Sequence, residues 1–170
     1  FTMLEYYQAY ATYDVIMDQT EELLRAADEA LRIRMPQAHA TWLATRTFTL
    51  DQPFFRVSMR AAVERALERC GLDEKVILEI DGPDAPIKEW AKAAKSRKRE
   101  IDWSNFKKGI AKCESPGERL FAAYEYLAEP FLTADYRTDD GNKSIPVFVI
   151  DHPTEVSPLS KQRPDDPDTV

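Results

Sequence analysis

The chain opens with apolar and polar side chains alternating at a period of two. Phe1, Met3, Glu5, Tyr7 and Ala9 fall on one face, and Thr2, Leu4, Tyr6, Gln8 and Tyr10 on the other; with this aromatic content the spacing predicts a strand. From about Tyr13 to Leu31 the period becomes helical. Ile16, Thr20, Leu23, Ala27 and Leu31 form one stripe and Asp18, Gln19, Glu22, Arg25 and Glu29 the opposite face. Thr12 or Asp14 can cap the start, and Pro36 is expected to end the helical region. Ala40 to Phe48 is rich in Thr, Trp and Phe and reads as a strand. The break at Asp51-Gln52-Pro53 separates it from a second strand at Phe54 to Val57, the two joined by a tight turn. Ser58 then caps a helix through Met59, Val63, Leu67 and Cys70, closed by Gly71 in the position that favours a left-handed residue.

Further on, Asp84 or Ala85 followed by Pro86 marks a helix start, with Ile87, Trp90, Ala91 and Ala94 on one face. Ser115-Pro116-Gly117-Glu118 has the form of a capping box, opening an apolar face of Leu120, Phe121, Tyr124, Leu127 and Ala128 that ends before Pro130. Phe131 to Tyr136 with Asp139 to Asn142 reads as a loop or short hairpin. The continuous apolar run Ile145 to Ile150 reads as a central strand buried on both faces. The sum is an α+β fold, an antiparallel sheet with helices packed on it.

Composition narrows the function classes. With 44% hydrophobic residues in 170, one core is expected. No run of about 18 apolar residues and no signal-peptide pattern is present, which predicts a cytoplasmic protein without a membrane partner. Two cysteines, Cys70 and Cys113, with no CxxC, and two histidines, His39 and His152, lack the spacing of a Cys/His zinc cluster and argue against a disulfide framework. Both cysteines read as buried or half-buried thiols. A net charge of −7 repels nucleic acid on average. Against that average, Lys88, Lys92, Lys95, Arg97, Lys98 and Arg99 form a basic segment. It can touch nucleic-acid phosphate, but without interleaved aromatics it reads as a solvated helix face.

The opening strand is also where chemistry concentrates. It sets a carboxylate, Glu5, between a thioether and a phenol, and an unpaired charge on a half-buried face is costly, so a cation is expected to pair with it. Phe1 offers a flat ring, and Glu5 with the Tyr7 hydroxyl can hydrogen-bond an ammonium. A wet sheet edge, or an arginine on a neighbouring strand, would satisfy Glu5 equally well.

Three stretches carry a family resemblance. Phe1-Thr2-Met3-Leu4-Glu5-Tyr6-Tyr7-Gln8-Ala9-Tyr10-Ala11-Thr12-Tyr13, running into Asp14 to Leu23, resembles the second strand of motif 2 and the following helix of class II lysyl-tRNA synthetases. Val147-Phe148-Val149-Ile150-Asp151-His152-Pro153-Thr154-Glu155-Val156-Ser157-Pro158-Leu159-Ser160-Lys161 is similar to the strand and Pro-x-Glu-Val-Ser-Pro-Leu segment before that family's last catalytic stretch. Phe54 to Val63 resembles its strand-to-helix step. The likeness covers residues 1–170 as part of a catalytic domain, with a less family-like helical insert at about 74–115.

The resemblance implies a chemistry. Lysine's carboxylate attacks the α-phosphate of ATP to give lysyl-adenylate, and the lysyl group passes to the terminal ribose of tRNA(Lys). Phe1 would stack on adenine with Met3 beside it in the ATP site. Glu5 and Tyr7 would grip the lysine ammonium, and Glu155 would either line the same pocket or fix its own loop. Mg²⁺ would be held by acids outside this chain, as would the motif 2 and motif 3 arginines, and the parent enzyme would be a homodimer. The chain is therefore expected to be a piece of a longer enzyme, inactive by itself. His152 stands where the family usually has Tyr and reads as a polar stand-in at a strand end. A translation-factor lysyltransferase, which shares the Phe-Thr-Met-Leu-Glu opening, and a non-catalytic synthetase-like binding module are the alternatives; Gln8 to Ala11 and Glu155 to Leu159 favour the synthetase.

Overall fold

The computed structural model describes residues 3–72, 87–96 and 99–170. The expected helix start at Asp84 to Pro86, together with Phe1, Arg97 and Lys98, lies outside the described residues.

Helix α1 spans Tyr13–Arg34, with Thr12 at its N-cap position and Asp14 in its first turn. Its inward face is not the stripe the sequence suggested. Leu23 and Leu31 are exposed, while Met17 and Glu21 are buried. The polar side chains on that face explain the choice. Glu21 accepts the Phe54 backbone N–H (3.3 Å), and Arg25 donates to the Leu50 carbonyl (2.7 Å) and the Gln52 carbonyl (2.8 Å). They hold the loop before the sheet against the helix.

Pro36 does not end the helical region; it starts a second helix, α2, Pro36–Thr45. The strand expected over Ala40 to Phe48 is thus helical up to Thr45, and Phe48 makes one bridge to Ser144. Proline is well placed at a first helical position, where its missing N–H has no partner to lose. Tertiary contacts then overrule the β propensity of Thr and Trp. Asp28 on α1 accepts from His39 Nε2 (2.8 Å) and from Arg46 (3.2 Å), tying both ends of α2 to α1. The Arg46 guanidinium lies 4.8 Å from the Trp42 ring centroid and 5.1 Å from that of Phe48, so cation–π contact covers its remaining faces.

Strand β1, Phe55–Ser58, leads directly into α3, Met59–Cys70. The Ser58 hydroxyl accepts from the Ala61 N–H (3.1 Å), and Gly71 closes the helix at φ 74°, as its sequence position required. Met59, Val63 and Leu67 on α3 are fully buried with Phe106 and Leu127, and Trp90 and Ala123 join them. Each large side chain contributes about 1.5–3 kcal/mol by leaving water. On α3 pack α4 (Ile87–Ser96) and α6 (Pro116–Ala123), and α5 (Trp103–Ile110) packs against those two helices and buries Phe106 in the same core. Ser115 and Glu118 form the expected reciprocal capping box. The chain does not stop helically before Pro130: a π-turn at Tyr124–Ala128 and a 3-10 turn at Glu129–Phe131 carry it into the short α7, Leu132–Asp135. The loop after α7 folds back, with Arg137 bridging Ser144 in antiparallel fashion.

Strand β2, Val147–Ile150, pairs with β1 in parallel, Phe55 opposite Val147 and Ser58 opposite Ile150. The expected antiparallel sheet is corrected here to a two-stranded parallel one within a mixed helix and strand fold. A hairpin would have reversed the chain, but α3 to α7 intervene between the strands, so β2 re-enters in the direction of β1. Within the Ile145 to Ile150 run Ile145 is buried, but Val147 to Ile150 of β2 are half-buried rather than buried on both faces. Met3 to Gln8 is not a strand either. Extended backbone becomes sheet only by pairing, and this segment is held instead by the Tyr6 hydroxyl, 2.6 Å from Thr20 Oγ1 on α1. Among the described residues no helix is long and apolar enough to cross a membrane.

Candidate functional site

The N-terminal segment presents its candidate residues to solvent. Met3 is 73% exposed and Tyr7 87%, and Glu5 is exposed between them. The segment ends in a turn with Tyr10 at φ 60° and enters α1 at Tyr13.

Tyr13 and Met17 form one wall of a cavity of about 530 Å³, whose other walls are Phe148 and Ile150 of β2, His152 and Lys161. This brings the start of α1 against the Val147 to Lys161 segment, the two family-like stretches that lie farthest apart in sequence. His152 closes the strand end: its Nε2 lies 3.1 Å from the Val149 carbonyl, and so the imidazole is engaged locally.

Glu155 sits in a 3-10 turn, Thr154–Val156, packed on the N-terminus of α6. Its carboxylate occupies the space over Gly117 that a side chain there would need. Glu155 is exposed toward a second cavity, about 550 Å³, lined also by Arg60, Asp151, Asp166 and Asp168. This cavity is strongly anionic. Asp151, at φ 57°, pairs with Arg163, which also holds Asp165 (2.8 Å). Hydrogen bonds donated to Asp165 and Asp151 push the Arg163 guanidinium well above its ordinary range, while Arg163 holds the Asp165 carboxyl below its own. That clamp ties the loop after β2 to the C-terminal stretch.

The structure therefore does not unite all the candidates. Met3, Glu5 and Tyr7 line neither cavity, and Glu155 faces a different space from the N-terminal trio. Two polar arrangements were not foreseen from sequence: the Asp28, His39 and Arg46 network, and the buried pair of Arg99 with Asp135. Histidine and arginine three and ten positions beyond Pro36 were the available signal, but the partner acid lies on another helix. Among the described residues no three His, Cys, Asp or Glu side chains converge to hold a metal ion.

A family model for the class II tRNA synthetases (D, K and N) matches residues 1–170. The chain belongs to this family. Among its relatives are proteins named lysine–tRNA ligase from Anaeromyxobacter sp. (strain K), 34% identical over 170 residues with the whole of this chain aligned, and from Carboxydothermus hydrogenoformans, also 34% identical with 99% of the chain aligned. The ligase of Colwellia psychrerythraea is 28% identical over 174 residues, with 95% of the chain aligned. No solved structure matches significantly. The synthetase chain spans 29% of the length of the Anaeromyxobacter relative and 28% of the Carboxydothermus one.

Proposed function

We propose that this chain is part of a lysine–tRNA ligase, which activates lysine with ATP and transfers it to tRNA(Lys). The observation that carries the reading is the 34% identity, extending over the whole chain, to proteins named lysine–tRNA ligase. The family model spans enzymes for D, K and N, and a carboxylate at position 5 suits the cationic one of those side chains.

In this reading Phe1 stacks on the adenine of ATP and Met3 packs beside it. Glu5 and the Tyr7 hydroxyl bind the lysine ammonium. The lysine carboxylate attacks the α-phosphate, pyrophosphate leaves, and the tRNA ribose hydroxyl then takes the lysyl group as AMP departs. These steps depend on positioning and charge stabilisation. Mg²⁺ would neutralise the phosphates, but the described residues offer no converging ligand set for it, so no step is assigned to a metal here. Glu5 and Tyr7 are exposed and uncommitted to a core, which leaves them available to a ligand and to elements packing over them. The parent enzyme is a cytoplasmic homodimer in this reading.

The test is ATP–pyrophosphate exchange by the full-length protein with lysine, aspartate and asparagine offered separately. Exchange stimulated by lysine supports the reading; exchange stimulated by aspartate or asparagine overturns it.

A further inference from the structure

We infer that helices α4 and α5 form a docking surface for an unpaired stretch of RNA, with phosphates on a lysine row and a base against Trp103. The inference rests on the reading above that tRNA is a substrate. Residues 88–112 carry nine Lys and Arg against three Asp and Glu, six positive charges in excess, in a chain whose net charge is −7. The cationic surface is therefore concentrated in one segment while the remainder repels polyanions.

From sequence this segment read as a solvated face because it lacked a stacking ring. The structure supplies one. A cleft of about 630 Å³ is lined by Lys95, Arg99 and Glu100 together with Ala91, Ile101 and Trp103. Trp103 is half-buried, braced by Trp90 (ring centroids 6.5 Å apart) and by Phe106 (5.7 Å, edge to face), so a rigid indole meets the cleft. Arg99 itself is committed inward to Asp135. Lys88, Lys92 and Lys95 are exposed at helical spacing along one side of α4, with Lys107, Lys108 and Lys112 exposed on and just beyond α5. Lys88 to Lys95 covers about 10 Å of helix at 1.5 Å per residue, room for two adjacent phosphates. An aromatic platform beside a cationic row suits single strands, whose bases are free to stack, better than a duplex.

The test uses the full-length protein with Lys88→Glu, Lys92→Glu and Lys95→Glu combined, a change confined to exposed side chains. The expected result is lysine-dependent ATP–pyrophosphate exchange within twofold of the unsubstituted protein. Affinity for tRNA is expected to be at least tenfold weaker at about 0.1 M salt, with a slope of log affinity on log salt shallower by about 1.4, as for two lost single-strand phosphate contacts. Unchanged tRNA affinity and slope with exchange intact would overturn the inference. A short single-stranded RNA should also quench tryptophan emission less after Trp103→Phe; equal quenching in the two proteins removes Trp103 from the contact. Absence of lysine-dependent exchange in the unsubstituted protein counts against the ligase reading alone, since the RNA comparison is read by binding.

Discussion

The carboxylate of Glu155 rests on Gly117, in the space a Cβ at that position would fill. Glycine in the first turn of α6 thus lets the 3-10 turn after β2 dock on the helix N-terminus, where a negative charge is favoured. A side chain at 117 must push the carboxylate aside, and because Glu155 is exposed its flexible end can swing away.

Gly117→Ala is accordingly expected to leave stability within about 1 kcal/mol, the lost glycine entropy offsetting the contact. Its effect should fall on lysine. If Glu155 contributes to the lysine site, Gly117→Ala and Glu155→Gln each raise the lysine KM of the full-length protein, and the double variant is no worse than the stronger single one. Additive effects would show that Gly117 acts other than through Glu155.

Asp28 joins α1 to α2 through His39 and Arg46. Burial works to raise its carboxyl pKa, but hydrogen bonds from His39 and Arg46 outweigh that and hold it below the ordinary value. The sign follows: a depressed carboxyl contributes stability above its unfolded value near 4 and loses it as pH falls through the lower folded value. Asp28→Asn is expected to cost about 2–3 kcal/mol at pH 7, by leaving Arg46 buried without its counter-charge. In urea denaturation the gap between the two proteins should narrow below about pH 4. A gap independent of pH would exclude Asp28 ionisation as its source.

Arg99 and Asp135 are 10% and 4% exposed at their side chains, and the Asp135 carbonyl is held in addition by Arg65 (2.7 Å). Arg99→Ala strands a buried carboxylate and is expected to cost about 3–5 kcal/mol. The neighbouring Lys95→Ala, at an exposed site, should stay within about 0.5 kcal/mol. Thermal unfolding of the two variants separates a latch from a solvated charge; similar melting temperatures would remove the latch.

How much of this was legible depended on how local each signal is. Ser58 and Gly71 bound α3, and Ser115 with Glu118 opens α6, because a cap is decided within four residues. Ala40 to Phe48 was misread because its Thr, Trp and Phe content favours a strand, while Pro36 and an acid on α1 decide for a helix. Parallel pairing of Phe55 with Val147 depends on helices between them that no window of sequence encompasses. For the site, the residue types of Glu5 and Tyr7 were readable, but their surroundings were not. The sequence pattern placed them on a strand, and the structure leaves them on an exposed segment tethered through Tyr6. Arg99 looked like one of six equivalent cations until Asp135 singled it out.

Recognition of the lysine ammonium by Glu5 is the claim on which the functional account depends most. The direct measurement is the steady-state rate of lysine-dependent ATP–pyrophosphate exchange by the full-length protein, with and without Glu5→Gln. Loss of a charged partner is expected to lower kcat/KM for lysine by about 30-fold or more, equivalent to about 2 kcal/mol or above, with the ATP KM within twofold. An unchanged kcat/KM for lysine would contradict the account and remove Glu5 from the site.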